Sequence, residues 1–414
     1  MPSPSIHLNP TAAHPPPSPA SDTQPHPDPG PEHPTPAAIL TFHQALPSYA
    51  PTPLRALPSL ARDLGLAGVF LKDEGARCGL PAFKILGASW AVWRAVGERL
   101  GLSAPIVVTG DGRDGGMGGV GNMEGGGGLS IEDMGAMARD RGIAVLTLTE
   151  GNCGRAVARM AAGYLGVETR VYVPALVPEG TRELIRGEGA EVVEVEGCYD
   201  EVVGVVVAEA RRRERGGEEV VLVLDVGVEG YEEVPGYFVE GYTTMLTEST
   251  QQLLSATGWK SATHAIVPVG AGSIGEAVTA YFKDATTRSS SAKVIAVEPT
   301  TAACLQASLK AGTSVSVPTA DTIMCGMNCG TLSTTAWPVL RTGVDASVTV
   351  TDAEAHAAVE ELSALGVLAG PCGAATLAAL RRVCMDAKGE FALDGDSVVV
   401  LYCTEGARDY AIPE

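Results

Sequence analysis

The chain has 414 residues, 45% of them hydrophobic, a formal net charge of -20 and an isoelectric point near 4.8. That length accommodates about two folding units, and the acidic balance argues against nucleic acid or an anionic membrane as the main partner. No apolar run reaches the ~18 residues of a membrane span, and the nine cysteines include no C-x-x-C pair with a nearby histidine, so reduced thiols are expected rather than a disulfide framework or zinc site.

Residues 1–37 are rich in Pro, Ser and His and read as a disordered tail. The tail lacks the apolar segment of a secretory signal and the arginines of a mitochondrial transit peptide, which leaves the cytoplasm as the expected location. His7, His14, His26 and His33 lie in it, and beyond His43 the chain has only His264 and His356. A Ser-His-Asp hydrolase or a multi-histidine metal centre is therefore poorly supported, and no metal is expected. Order begins near Ala37. A strand is predicted over 68–72, a helix over 83–100 and a strand over 106–109. Residues 111–128 are too glycine-rich for regular structure; with no G-K-[ST] ending they read as an insertion rather than a phosphate loop. Ser130 is placed to cap a helix over 131–141.

From there strands and helices alternate. Strands are predicted over 143–147, 169–173, 191–195, 220–225, 265–269, 293–298 and 397–402. Helices are predicted over 155–165, 181–187, 200–213, 241–257, 273–282, 352–365 and 374–385. Such alternation implies parallel sheets covered on both faces.

Three segments carry chemistry. In AFKILGA (82–88), Lys84 stands between Phe83 and Ile85. An apolar pocket would lower its pKa and free the amine for a Schiff base, whereas a surface lysine would only pack its stem. In TEGNCGR (149–155), between a predicted strand and helix, backbone N–H groups at Thr149, Gly151, Cys153 and Gly154 can hold a carboxylate, and Asn152 can bond a cofactor oxygen. An ordinary Gly-Asn turn is the plainer reading. In GAGSIG, Gly270, Ala271, Gly272, Ser273, Ile274 and Gly275 follow a strand and open a helix. The pattern fits a dinucleotide fingerprint, with Glu298 about 20 residues on as the ribose acid. It fits equally a single phosphate monoester cradled by amides and the Ser273 hydroxyl.

Together these segments resemble the Schiff-base, substrate-carboxylate and phosphate loops of fold-type II (tryptophan-synthase-β-like) pyridoxal-phosphate enzymes. GLPAFKILGAS (79–89), Asp225 with GYEEVPGYFVEGYTTM (230–245), DTIMCGMNCG (321–330) and CTEGARD (403–409) narrow the resemblance to diaminopropionate ammonia-lyase. It covers residues 40–409 apart from the glycine-rich insertion. The resemblance implies two three-layer αβα domains with mostly parallel sheets. The larger, cofactor-binding domain comprises 38–87 and 245–414; the smaller comprises 88–244, with the insertion at 110–128. It implies pyridoxal 5'-phosphate on Lys84, its phosphate on the amides of 270–275, its ring hydroxyl on Asn152, and Cys403 or Thr404 at the pyridine nitrogen. A neutral partner there weakens the electron sink and favours quick loss of a β-substituent.

Lys84 and Glu150 are then the bases for L and D substrates, and Asp225 the acid at the β-amine. A small amino-acid substrate and a homodimer are expected. The family's Asp-Gly-Asn-His-Gly loop is altered here: Glu150 replaces the Asp and Cys153 the His. The added methylene displaces the carboxylate by about 1 Å. A serine or threonine dehydratase-like lyase on the same fold, a ligand-binding paralogue without turnover and, more distantly, a nicotinamide oxidoreductase are the competing readings.

Overall fold

The structure, a computed structural model, describes residues 5–12, 34–102, 128–197, 199–258, 260–284 and 292–413. The predicted strand at 106–109 and nearly all of the glycine-rich insertion lie outside these residues. In chain order the strands are β1 (Ile6–Leu8), β2 (Leu54–Ala56), β3 (Gly68–Asp73), β4 (Ala144–Leu148), β5 (Glu168–Pro174), β6 (Glu191–Val195), β7 (Val220–Leu222), β8 (His264–Pro268), β9 (Lys293–Pro299), β10 (Ala346–Val350) and β11 (Val398–Cys403). The helices are α1 (Pro36–Gln44), α2 (Pro58–Leu64), α3 (Lys84–Arg99), α4 (Ile131–Asp140), α5 (Asn152–Ala158), α6 (Glu179–Arg186), α7 (Tyr199–Arg215), α8 (Glu233–Thr257), α9 (Ser273–Lys283), α10 (Cys304–Ala311), α11 (Ala336–Gly343), α12 (Asp352–Ala364) and α13 (Pro371–Asp386).

Two sheets organise them. The larger runs β1-β10-β9-β8-β11-β3-β2 and the smaller β6-β5-β4-β7. The smaller is parallel throughout, and the larger is parallel except at its outer strands β1 and β2. Burial on both faces explains the near-continuous apolar runs. Along β11, Val398, Val400 and Tyr402 enter one core, while Val399, Leu401 and Cys403 enter the other. The mixed α/β architecture with parallel sheets is the one the strand–helix alternation predicts.

Several elements depart from the sequence-based expectation. Ile6–Leu8, inside the segment read as a disordered tail, pairs antiparallel with β10, Ile6 opposite Val348 and Leu8 opposite Ala346. Asn9 secures it, its side-chain amide donating to Val344 O at 2.7 Å and Arg341 O at 2.9 Å at the end of α11. Three residues among prolines are too few for periodicity to reveal a strand. Helix α8 begins eight residues before the predicted 241, with Pro235 accommodated in its first turn. The helix expected over 155–165 starts at Asn152 and widens into a π turn over Arg159–Tyr164. The predicted cap is present: Ser130 accepts from Asp133 N.

Helices α3 and α8 cross at very short range. A Cβ on Gly241 would lie 2.4 Å from Leu86 O, and one on Gly87 would lie 2.6 Å from the Tyr242 ring. His43, buried, joins α1 to this crossing through Thr244 Oγ1 at 2.7 Å and Leu86 O at 2.9 Å. The contact fixes the start of α3, where Lys84 stands.

A buried charged network ties β3 and the residues after it to α8. Lys72 Nζ donates to Glu248 Oε2 at 2.7 Å, and Arg77 Nη2 meets Glu74 and Glu248, each at 2.7 Å. These four side chains are at most 5% exposed. Burial opposes the Glu248 charge, but Arg77 and Lys72 hold its carboxyl down at about 2.

Candidate active site

Lys84 opens α3, and its Nζ donates to Asp225 Oδ2 at 2.7 Å. Asp225 follows β7 in a turn held in place from both sides. Tyr231 Oη donates to Leu222 O at 2.8 Å and accepts from Leu224 N at 3.0 Å; Gly227 N donates to Ser333 Oγ at 2.8 Å. Burial disfavours the charge on Lys84, yet Asp225 holds its ammonium well above the usual lysine range. Asp225 is held below the carboxylate range by Lys84, against its own burial. This corrects the expectation that an apolar pocket lowers the Lys84 pKa. The counter-charge comes from a residue 141 positions away in the chain, and the local sequence AFKIL gives no sign of it.

The loop 149–154 lies against this pair. Thr149 Oγ1 accepts from Gly151 N and Gly154 N, both at 2.9 Å, which folds the loop into the start of α5. The Cys153 thiol donates to Asp225, and burial together with that carboxylate keeps the thiol protonated. Asn152 begins α5 with no hydrogen-bond partner for its side chain among the described residues. Glu150 is exposed at the rim.

The glycine loop reaches the same place. Gly272, at φ 110°, sits in the left-handed region that glycine favours, and a Cβ there would lie 2.7 Å from Ala336 Cβ. It precedes α9 with no side-chain cap, so the first N–H groups of that helix are open to a ligand. Tyr242 and Cys329, which the sequence does not mark, connect the segments. The buried Tyr242 hydroxyl, influenced by both Lys84 and Ser273, makes no hydrogen bond of good geometry. Burial pushes the Cys329 thiol up to about 11, with Lys84, Asp225, the Ala271 amide and Glu150 all acting on it.

At the remaining edge Phe83 N donates to Thr404 O at 3.2 Å, and Ala82 bridges Glu405, so the end of β11 flanks Lys84. The buried Cys403 thiol is turned to Glu405 O at 3.5 Å. Glu276, in the first turn of α9, is pushed up to about 7 by burial, partly offset by the hydroxyl of Thr335.

Glu298 does not face this site. Its oxygens accept from Leu305 N at 2.7 Å, Gln306 N at 2.8 Å and Ser347 Oγ at 2.9 Å, capping α10 in a fully buried position. The acid that a dinucleotide reading requires is therefore occupied internally.

The arrangement suits a phosphorylated carbonyl cofactor: an amine to bond the aldehyde, uncapped helix amides for the phosphate, and an unpartnered Tyr242 hydroxyl and Asn152 amide nearby. Comparison with known proteins agrees. The family described as "Pyridoxal-phosphate dependent enzyme" matches residues 126–404. Diaminopropionate ammonia-lyase of Salmonella typhimurium is 31% identical over 382 residues, 89% of this chain and 88% of the relative. Its Escherichia coli K12 counterpart is 29% identical over 379 residues, 89% and 87% of the two chains. The crystal structure of the E. coli enzyme with an aminoacrylate-PLP azomethine reaction intermediate superposes with a TM-score of 0.77 at 28% identity, covering 97% of this chain and 93% of that one. The chain thus belongs to the pyridoxal-phosphate dependent enzymes, with the fold-type II architecture. Within that family it is a diaminopropionate ammonia-lyase-like member.

Proposed function

We propose that this enzyme catalyses α,β-elimination of 2,3-diaminopropionate to pyruvate and ammonia. The observation that carries the reading is the cluster of Lys84, Asp225 and Cys153 beneath the loop bearing Glu150. Bound here, pyridoxal phosphate supplies the conjugated ring that accepts the electron pair released at the substrate α-carbon. Lys84 anchors the aldehyde, the amides of Gly270, Ala271, Gly272, Ser273, Ile274 and Gly275 take the phosphate, and Asn152 takes the ring hydroxyl. Cys403 or Thr404 serves the pyridine nitrogen. Of the two, Thr404 is the better placed, because the Cys403 thiol is already turned to a main-chain carbonyl. Of the four residues expected to receive the substrate carboxylate, Thr149 N donates to Tyr172 O at 3.0 Å and Gly151 N and Gly154 N to Thr149 Oγ1, so the Cys153 N–H is the amide left for it.

Lys84 Nζ takes the α-proton of an L substrate; Glu150, at the rim, serves the D isomer. Asp225, ionised beside the Lys84 ammonium, takes a proton from Lys84 Nζ across their 2.7 Å contact, which frees the amine, and passes that proton to the departing β-amine. The same reading makes the working form a cytoplasmic homodimer. Among the described residues no helix is long and apolar enough to cross a membrane.

Counting products tests the substrate. Elimination from diaminopropionate yields about two ammonia per pyruvate, whereas dehydration of serine yields about one. A ratio near one, or no turnover of diaminopropionate by cofactor-loaded protein, overturns the proposal. Asp225→Asn keeps the side-chain size but removes the charge. It is expected to lower kcat by roughly 10²–10⁴-fold, the range of a positioned proton-transfer group, with an unchanged circular dichroism spectrum. An unaltered kcat would dismiss Asp225 from the mechanism.

A further inference from the structure

A second pair of thiols stands apart from the Lys84 cluster. Cys325 is exposed in the short turn Cys325–Met327, and Cys372 is buried in the first turn of α13. Both thiols are free and act electrostatically on one another. A Cβ built on the neighbouring Gly326 would lie 3.4 Å from Cys372 Sγ, so the turn rests directly on that sulfur. Arg408 faces the pair and donates to Ile323 O at the base of the same segment. Glu405 Oε1, the nearby acid, accepts the Cys372 N–H at 3.0 Å and lies 3.4 Å from Arg408 Nε.

We propose that Cys325 and Cys372 are a peroxide-oxidisable pair, the exposed thiol reacting first and the buried one converting it to a disulfide. The roles follow from the asymmetry of the site. Cys325 is exposed to solvent, and its contact with Cys372 together with the Arg408 guanidinium favours its thiolate. Cys372 is buried in the first turn of α13, and its contact with Cys325 together with that burial favours the protonated thiol. Cys325 therefore combines a nearby cation with an open path to small oxidants, the surroundings that mark reactive cysteines, and Cys372 is the shielded partner beside it.

The chemistry balances with hydrogen peroxide as oxidant. The Cys325 thiolate attacks one peroxide oxygen, the O–O bond breaks, and the sulfur becomes a sulfenic acid as one water is released. Cys372 sulfur then attacks that sulfur, forming the S–S bond and expelling the hydroxyl as a second water. The two thiols lose two electrons and two protons, and the peroxide gains them.

The cross-link would join two walls of the cofactor region. The turn abuts the glycine loop, since a Cβ on Gly270 would lie 3.1 Å from both Gly326 O and Met327 Cα. The start of α13 abuts the end of β11, since a Cβ on Gly373 would lie 2.6 Å from Cys403 Sγ.

The test treats cofactor-loaded enzyme with hydrogen peroxide, blocks the remaining thiols with iodoacetamide and maps the unreduced digest by mass spectrometry. The expected result is a Cys325–Cys372 linked peptide and the loss of two free thiols, both reversed by dithiothreitol. In Cys372→Ser the reaction should stop at a sulfenic acid on Cys325 that dimedone traps. Before oxidation, iodoacetamide should label Cys325 of the unaltered protein faster than Cys304, Cys329 or Cys403. Peroxide that leaves both thiols free, or joins Cys304 to Cys329 instead, overturns the proposal. So does a Cys372→Ser protein whose Cys325 never traps dimedone.

Discussion

Lys84→Ala should reduce kcat/KM by at least about 10⁴-fold, the upper range for a positioned proton-transfer residue, since the anchoring amine is lost with it. Alanine suits the first turn of α3, so the helix and its crossing with α8 persist and the loss is chemical. In the unaltered protein loaded with cofactor, borohydride should fix the cofactor to the peptide containing residue 84, and the visible band at roughly 410–420 nm should vanish. Lys84→Ala should show neither the band nor the tagged peptide. A tag on any other lysine, Lys72 in particular, would dismantle the assignment. Lys72 is a discriminating control because it is fully buried and bonded to Glu248, Gln252 and the Thr52 carbonyl, with no opening toward a ligand.

Glu248→Gln should be the costliest single change to stability. The carboxylate lies between Lys72 and Arg77 and also accepts the Tyr49 hydroxyl at 2.7 Å. Without its charge, Glu74 alone faces two buried cations. Removing one partner of such a buried pair costs about 3–5 kcal/mol, because the remaining charge stays desolvated. The urea midpoint of unfolding at neutral pH reads this directly. The effect depends on pH in a fixed sense. Glu248 has a folded value of about 2 against 4.5 for the free side chain. Its stabilisation is complete above 4.5 and declines as pH falls toward 2. The gap between the variant and the unaltered protein should therefore narrow on acidification; a gap that is constant with pH would show that the charge is not the cause.

Local sequence revealed what local geometry determines. The glycine loop is legible because a left-handed Gly272 and an uncapped helix start leave their mark within six residues. Lys84 is legible because a lysine among apolar residues at a helix start is unusual. The alternation of strands and helices announces the parallel sheets and the doubly covered core. Partners set by tertiary approach were not legible. Asp225 gained its place through resemblance alone, and its bond to Lys84 spans 141 residues. Tyr242 sits in an ordinary amphipathic helix; it reaches the site because Gly87 and Gly241 let two helices approach closely. Glu298 shows the converse. Its spacing after a glycine loop suggested ribose binding, but spacing cannot reveal that three donors already saturate the carboxylate.

The short strand β1 has a consequence for handling the protein. By hydrogen-bonding along Ala346–Val348, it serves as a built-in guard on the outermost rung of the seven-stranded sheet. Cutting away the proline-rich leader together with Ile6–Leu8 would bare a row of unpaired main-chain donors and acceptors, an invitation to strand addition by a neighbouring copy. A shortened form meant for crystals or immobilisation would do better to keep Ile6–Leu8 seated on β10.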